Sequence, residues 1–249
     1  MDKKIEEIGD TLKKYGQEHL LNHYDKLDEK HKKQLIEQIE NIDFALIKSL
    51  YQNANKEEKN EKDEITPIDY LDKYKLNDKY KYYEDLGKRA IKEGKLAAVT
   101  MAGGQGTRLG HDGPKGTYDI GLDSHKSLFE LLCDTLKEEG KKYGVTIPWF
   151  IMTSKENNQA TIEFFEKHKY FGYKKDQNIF FFIQGELPMV DTEGKILVNE
   201  EGLIKLAADG HGGIYESLVK SGMTKKMQHM GINWVFIGGV DNCLVKMVD

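Results

Sequence analysis

The sequence has few cysteines, few prolines and no long apolar run. Its 249 residues include two cysteines, Cys133 and Cys243, and four prolines. Two cysteines so far apart do not form the framework of a small disulfide-rich domain, so we expect a reducing compartment, the cytoplasm. The longest apolar stretch, residues 232–240, is too short to cross a bilayer, and the first residues lack the apolar core of a signal peptide. We therefore expect no membrane association.

An excess of basic residues and the spacings of metal sites are also missing. Lys and Arg total 37 against 42 Asp and Glu, which gives a formal net charge of −5. This balance argues against a nucleic acid as the main partner. The eight histidines are scattered and form no HExxH pattern, and there is no CxxC pair, so a zinc site is not expected. The composition, 39% hydrophobic and 32% charged, is typical of a globular chain with a polar surface.

The chain divides near residue 88 into a helical N-terminal arm, 1–88, and an α/β domain, 89–249. In the arm, apolar residues recur at the spacing of one helix face. They are Ile5, Ile8, Leu12 and Tyr15, and further on Leu35, Ile39 and Ile42. The run 53–64 has few apolar residues and predicts an exposed loop or a mobile helix end. The arm is either a solvated helical layer or a segment that binds a specific partner.

From Leu96 onward, apolar strands alternate with amphipathic helices. Strands are predicted at Leu96–Met101, Trp149–Thr153, 178–184 and 232–240, and helices at 127–137, 155–167 and 213–221. This alternation predicts a mainly parallel sheet that is covered by helices, with ligands at the carboxyl ends of the strands. The strand 178–184 contains three consecutive phenylalanines, so we expect it to be buried on both faces.

A glycine-rich loop, residues 102–110 (AGGQGTRLG), follows the first strand. Glycines allow backbone N–H groups to approach a phosphate or a base closely. The dinucleotide-binding pattern GxGxxG fails because it needs glycine where Leu109 stands, and the P-loop fails because Pro114 precedes Lys115. The loop instead carries Arg108, which can fork to phosphate oxygens, and Lys115, which supplies a point charge. These residues predict a polyphosphate site, and a plain glycine turn is the alternative.

Four strings in this region carry a family resemblance: LAAVTMAGGQGTRLG (96–110), PKG (114–116), YDIGL (118–122) and KSLF (126–129). They resemble the uridylyltransferases of the UDP-N-acetylglucosamine pyrophosphorylase type. The resemblance is strong over 90–249 and weak over the arm. UDP-glucose pyrophosphorylases typically lack the pairing of Gln105 with Arg108, so the N-acetylhexosamine branch is favoured. The resemblance implies a Rossmann-like nucleotidyltransferase fold.

Polar residues end three further segments. Gln184 closes the phenylalanine strand, where its amide can donate and accept at a uracil edge or can cap the following turn. The segment 209–213 (DGHGG) precedes a predicted helix, and its His211 is either a ligand contact or a structural histidine. Asp241 ends the last strand, where it can bind Mg²⁺ beside a phosphate or form an Asp-Asn turn.

The resemblance implies a role for each site residue. Arg108 and Lys115 are catalytic: Arg108 holds the β- and γ-phosphates, and Lys115 stabilises charge at the transferring phosphorus. Asp241 contacts the nucleotide and binds Mg²⁺, and His211 borders the sugar. The remaining nucleotide contacts are Met101, Ala102, Gly103, Gly104, Gln184 and Gly210. The family has a proline where this chain has Ala208, a departure that removes no functional group.

The expected activity is synthesis of a UDP-N-acetylhexosamine, UDP-N-acetylglucosamine in the first place, and pyrophosphate from UTP and the sugar 1-phosphate with Mg²⁺. One alternative is a UDP-glucose or broad-specificity UDP-sugar pyrophosphorylase. Another is a non-catalytic module that binds UTP or a UDP-sugar. Proteins of the resembled family run much longer, so we expect these residues to be a fragment, incomplete at the C-terminus, that binds UTP weakly without turnover. No oligomeric state follows from the sequence.

Overall fold

The computed structural model describes residues 2–56, 66–70, 72, 75 and 78–248. These residues form two compact units. One unit consists of Met1–Pro67 and Glu186–Ala208, and the other consists of Ile68–Gly185 and Asp209–Asp249. The division predicted near residue 88 did not anticipate that Glu186–Ala208 groups with the N-terminal residues.

The described residues contain helices and strands with the following bounds. The helices are α1 (Asp2–Tyr15), α2 (Glu29–Glu40), α3 (Phe44–Ala54), α4 (Asp78–Lys92), α5 (Leu128–Tyr143), α6 (Asn158–Lys167), α7 (Ile214–Lys220) and α8 (Met223–His229). The strands are β1 (Leu96–Met101), β2 (Trp149–Thr153), β3 (Ile179–Ile183), β4 (Glu186–Pro188), β5 (Leu206–Ala208) and β6 (Trp234–Gly239). None of these helices combines the length and apolar content that a membrane crossing requires.

The unit of Met1–Pro67 and Glu186–Ala208, which holds the arm only as far as Pro67, has its own apolar core. The helical spacing predicted for α1 and α2 is confirmed, and its members Ile8, Leu12, Leu35 and Ile39 are buried together with residues of the β4–β5 segment. Gln17 fixes that segment: its Nε2 donates to Gly194 O at 2.9 Å, and its Oε1 accepts from Ile196 N at 2.9 Å. Of the run 53–64, residues 53–56 are exposed and residues 57–64 lie outside the described part of the chain.

The second unit is built on four parallel strands in the order β3-β2-β1-β6, which confirms the predicted parallel sheet. Alternate residues of the strands enter two cores. One core packs α5 and α6 against residues such as Ala98 and Ile151. The other packs α7 and α8 against residues such as Val99 and Phe150. Both faces of β1 and β2 are therefore covered, as the apolar character of these strands predicts, whereas Trp234 and Val235 at the start of β6 are exposed.

The structure differs from the predictions most clearly at the end of α5, at the start of α6 and in the burial of β3. Helix α5 continues to Tyr143 and ends at Gly144, whose φ of +70° suits glycine. Helix α6 begins at Asn158 because residues 155–157 form a turn. The expected burial of β3 on both faces is wrong at Ile183, which is 46% exposed. Cys133 of α5 is unpaired and fully buried, and this burial raises the pKa of its thiol to about 12.

The strand order brings two chain segments to the same crevice. Strands β2 and β3 lie on one side of β1 in the sheet, and β6 pairs with the other side of β1. In open α/β sheets, such a reversal of strand order is where ligands bind, outside the carboxyl ends of the strands. The glycine loop follows β1 and Asp241 follows β6. Both therefore lie at the reversal point.

Candidate functional site

The glycine loop presents a row of unoccupied backbone amides. Among the described residues, the N–H groups of Gly103, Gly104 and Gln105 have no hydrogen-bond acceptor. The loop is closed by Gly106 N, which donates to Gly113 O at 2.9 Å, and by Lys115 N, which donates to Gly104 O at 3.0 Å. Successive free N–H groups in a loop are suited to binding anionic or carbonyl oxygens.

Lys115 and Asp241 form an ion pair across the reversal point. Pro114, with φ of −58°, starts the short helical turn Lys115–Thr117. From this turn the Lys115 Nζ reaches within 2.5 Å of Asp241 Oδ1, with the lysine side chain 14% exposed and the aspartate 57%. The turn is anchored at Gly116, where a Cβ would lie 2.2 Å from the Phe129 ring. The structure thus brings together two residues that sequence reasoning treated separately.

Arg108 takes no part in this ion pair. It is in the short turn Thr107–Leu109, its side chain is exposed, and it makes no hydrogen bond or ion pair with the part of the chain that the structure describes. A guanidinium in this state is free to bind an anion in a bidentate manner. The guanidinium of Arg108 is thus available for the expected phosphate contact.

Gln184 joins the glycine loop to the segment 209–213. Its side chain is 8% exposed, and its Nε2 donates to Gly210 O at 2.8 Å. A Cβ on Gly103 would lie 2.7 Å from Gln184 Oε1. The amide therefore contacts a residue 26 positions away rather than the turn that directly follows it. Three residues expected to read a base are close together in space.

The segment 209–213 is shaped by its glycines. Gly210 has φ of +81°, a conformation that favours glycine. The Asp209 carboxylate packs against Gly213 of this segment and against Gly185, which follows Gln184. A Cβ on Gly213 would lie 2.2 Å from its atoms, and a Cβ on Gly185 would lie 2.3 Å from them. The His211 side chain is exposed and makes no hydrogen bond or ion pair with the part of the chain that the structure describes. Its imidazole is available to a ligand.

The ends of β1 and β6 are connected through their backbones. Val240 N donates to Met101 O at 3.0 Å, and Ala102 N donates to Met152 O at 2.7 Å. Ala102 is 1% exposed, so its methyl group belongs to the core. Met101 is half-buried. These two residues support the loop, and at Ala102 any ligand contact would come from the backbone.

Asp241 and Asn242, the residues that follow β6, have different roles: Asn242 caps a turn, and Asp241 does not. Leu244 N donates to Asn242 Oδ1 at 3.0 Å, so the turn is capped by Asn242. Asp241 keeps its carboxylate for Lys115. The described residues contain no group of three or more His, Cys, Asp or Glu side chains placed to hold a metal. A single exposed carboxylate fits Mg²⁺, because this ion binds through one or two carboxylates together with substrate phosphates.

Sequence reasoning missed Asn157, which is completely buried behind the loop. Its Nδ2 donates to Ala102 O at 2.9 Å and to Gly104 O at 3.2 Å. Its Oδ1 accepts from Ser154 N at 2.9 Å, while Asn157 N donates to Ser154 Oγ at 3.2 Å. This reciprocal pair has the form of a capping box, so the spacing Ser154-x-x-Asn157 after β2 was the available signal.

Comparison with protein families gives one match that covers most of the chain. The model of the family described as UTP–glucose-1-phosphate uridylyltransferase matches residues 43–249. Among curated proteins, UDP-N-acetylglucosamine diphosphorylase 2 of Arabidopsis thaliana is 37% identical over 96% of this chain and 51% of its own length. UDP-N-acetylglucosamine pyrophosphorylase of Saccharomyces cerevisiae is 37% identical over 96% of this chain and 50% of its own. The chain thus spans about half the length of these relatives.

The chain is also similar to solved structures of proteins that are described as UDP-N-acetylglucosamine pyrophosphorylases. The uridine diphosphate N-acetylglucosamine pyrophosphorylase from Trypanosoma brucei, crystallised with an inhibitor, aligns with a TM-score of 0.74 and 28% identity, over 98% of this chain and 52% of its own. A structure from Entamoeba histolytica, described as a UDP-N-acetylglucosamine pyrophosphorylase, aligns with a TM-score of 0.64 and 35% identity, over 74% of this chain and 47% of its own. The nucleotidyltransferase-type fold expected from the sequence is confirmed.

Proposed function

The chain belongs to the family of UTP–glucose-1-phosphate uridylyltransferases, and we propose that its protein transfers the uridylyl group of UTP to N-acetylglucosamine 1-phosphate and releases pyrophosphate. The single observation that carries the proposal is the cluster at the sheet's reversal point. This cluster consists of the free amides of the glycine loop, the contact of Gln184 with Gly210 and the ion pair of Lys115 with Asp241.

The uracil base is assigned to Gly103, Gln184 and Gly210. Uracil presents carbonyl acceptors and an N–H donor along one edge, and a primary amide can satisfy both kinds of group. Gln184 is held in place by its bond to Gly210 O, and it retains a second amide hydrogen and its Oε1. Because Gly103 lacks a Cβ, the base can approach this amide closely.

The phosphates are assigned to the loop amides and to the two cations. In the transfer, an oxygen of the sugar phosphate attacks the α-phosphorus in line, and pyrophosphate leaves. Such a reaction needs positioning and charge stabilisation more than covalent help from the protein. Lys115 stabilises charge at the α-phosphorus, and Arg108 binds the leaving β- and γ-phosphates. The ion pair with Asp241 holds the Lys115 ammonium at the edge of the loop.

Asp241 is the proposed ligand of Mg²⁺. When bound, the ion neutralises negative charge on phosphate oxygens, which favours attack by another anion. His211 directly follows Gly210 and is exposed, and it is assigned to the ribose or the sugar. Met101 and Ala102 contribute through the backbone that leads into the loop. We further propose a cytoplasmic location, on the basis of the two unpaired cysteines.

The choice of sugar rests on the relatives. The family description names glucose 1-phosphate, whereas the relatives at 37% identity are named for N-acetylglucosamine. UDP-glucose pyrophosphorylase is therefore the second candidate. A module that only binds UTP is disfavoured, because binding alone does not require Arg108, Lys115 and Asp241 together.

A pyrophosphate-release assay tests the proposal. The complete enzyme is purified and given UTP and Mg²⁺ with N-acetylglucosamine 1-phosphate, N-acetylgalactosamine 1-phosphate or glucose 1-phosphate. The proposal predicts the highest kcat/KM with N-acetylglucosamine 1-phosphate and loss of turnover when EDTA removes the metal. A preference for glucose 1-phosphate would support the second candidate. UTP binding without release from any sugar phosphate would support the binding module.

A further inference from the structure

We propose that Asn157 is a positioning residue for nucleotide binding: its buried amide orients the glycine loop so that the loop N–H groups face the ligand. This inference rests on the proposed function and adds a residue to it. Asn157 is fully buried, so it does not touch the nucleotide and acts through the loop. Its two amide hydrogens are matched by two backbone carbonyls of the loop, Ala102 O and Gly104 O.

These two bonds set the direction of two peptide groups. In a trans peptide, the C=O and the following N–H point in opposite directions. When Asn157 holds Ala102 O, the N–H of Gly103 is turned away from Asn157, and holding Gly104 O does the same for Gln105. Both amides lack an acceptor among the described residues. The bonds that Asn157 makes therefore determine where the free amides point.

The same side chain connects the loop to a rigid part of the fold. Asn157 Oδ1 accepts from Ser154 N, directly after β2, and Gly104 O also accepts from Lys115 N. The loop is thus held from the β2 side by Asn157 and from the Lys115 side by a backbone bond. A glycine-rich loop without these bonds has more backbone freedom, and ordering it on binding would lower nucleotide affinity.

The decisive variant is Asn157→Asp. Aspartate has nearly the same shape, and its Oδ1 can still accept from Ser154 N. Its second carboxylate oxygen stands where Asn157 has Nδ2. This oxygen cannot donate, so the carbonyls of Ala102 and Gly104 lose their hydrogen bonds from residue 157. Asn158→Asp is the matched control, because it adds the same charge one residue later. There the Thr153 hydroxyl donates to Asn158 Oδ1 at 2.7 Å, and a carboxylate keeps that bond.

Calorimetric titration with UTP separates positioning from folding. We expect Asn157→Asp to raise the Kd of UTP by about 10-fold or more, with a binding stoichiometry close to that of the wild type. Asn158→Asp should stay within about twofold of the wild type, since it keeps its bond. Asn157→Ala, which removes the donors without adding charge, should shift the Kd in the same direction, and it supplies the measurement if Asn157→Asp does not fold.

A purely structural role gives a different result. In that case the Asn157 variants have a lower melting temperature or a lower binding stoichiometry, while their folded molecules bind UTP with a Kd within twofold of the wild type. That result would overturn the inference. The wild type is titrated first. If it binds no UTP, the proposed function fails and this inference fails with it. If it binds UTP and the Asn157 variants bind equally well, the inference alone is wrong.

Discussion

Lys115 and Asp241 belong to segments that follow different strands, yet Lys115 Nζ lies 2.5 Å from Asp241 Oδ1. Asp241 is 57% exposed, so solvent screens this pair, and we assign it little weight in stability. Its importance is in placement. It sets a cation and a carboxylate side by side where β1 and β6 end, which is where a parallel sheet of this order binds ligands.

The first prediction concerns the two catalytic cations. In the complete enzyme, Arg108→Ala and Lys115→Ala should each lower kcat by about 10²-fold or more, the effect of removing one charge-stabilising donor. The affinity for UTP should fall less, because the loop amides and Gln184 remain. Steady-state kinetics with UTP and N-acetylglucosamine 1-phosphate measures kcat, and calorimetric titration with UTP measures the affinity.

Lys92→Ala is the control for these variants. Lys92 is exposed in the last turn of α4, and its removal changes the net charge by the same amount. It should leave kcat unchanged. Near-normal kcat in both the Arg108 and the Lys115 variants would contradict the catalytic assignment.

The second prediction concerns the approach of the base to Gln184. In Gly103→Ala, the new methyl group would lie 2.7 Å from Gln184 Oε1, so the amide must move. Because this atom is the end of a side chain, the cost in stability should be small. UTP affinity should fall by about 10-fold or more, since a displaced amide no longer pairs with the base. Titration with UTP, together with a melting curve, measures both effects, and unchanged affinity would remove Gly103 from the site.

The third prediction concerns packing beneath Lys115. In Gly116→Ala, a Cβ would lie 2.2 Å from the ring of Phe129, which is fully buried. Overpacking of this kind costs about 1–3 kcal/mol of unfolding free energy. Gly87→Ala is the contrast, since a Cβ in the middle of α4 meets no atom within 4 Å. It should stabilise the protein by up to about 1 kcal/mol. Urea unfolding decides the matter, and equal effects of the two substitutions would contradict the packing described here.

Local patterns were sufficient for the sheet of the second unit. The bounds of β1 and β2 follow from apolar runs of strand length, and the intervening helices imply parallel pairing. The grouping of Glu186–Ala208 with the N-terminal residues did not follow. That segment is joined to the helices by contacts such as Gln17 with Ile196, which are 179 residues apart. No periodicity within either segment specifies such a partner.

The candidate site was predictable residue by residue but not as an arrangement. The residue types at Gln184, Lys115 and Asp241 suggested chemistry, and their roles stay predictions. The sequence did not reveal that Gln184 bonds Gly210 or that Lys115 pairs with Asp241, because these contacts depend on the strand order. Asn157 was missed because it acts through backbone carbonyls of the loop, and the local spacing Ser154-x-x-Asn157 does not indicate which carbonyls its Nδ2 contacts.

The most direct test of the central claim, that the reversal point of the sheet binds a uridine nucleotide, is a calorimetric titration of the purified protein with UTP and, separately, with CTP. Cytosine offers an amino group where uracil has a carbonyl, so a site that hydrogen-bonds uracil leaves buried polar groups unpaired with CTP. We expect UTP to bind at least about 10-fold more tightly than CTP. Equal affinities for UTP and CTP, or the absence of UTP binding, would contradict the account.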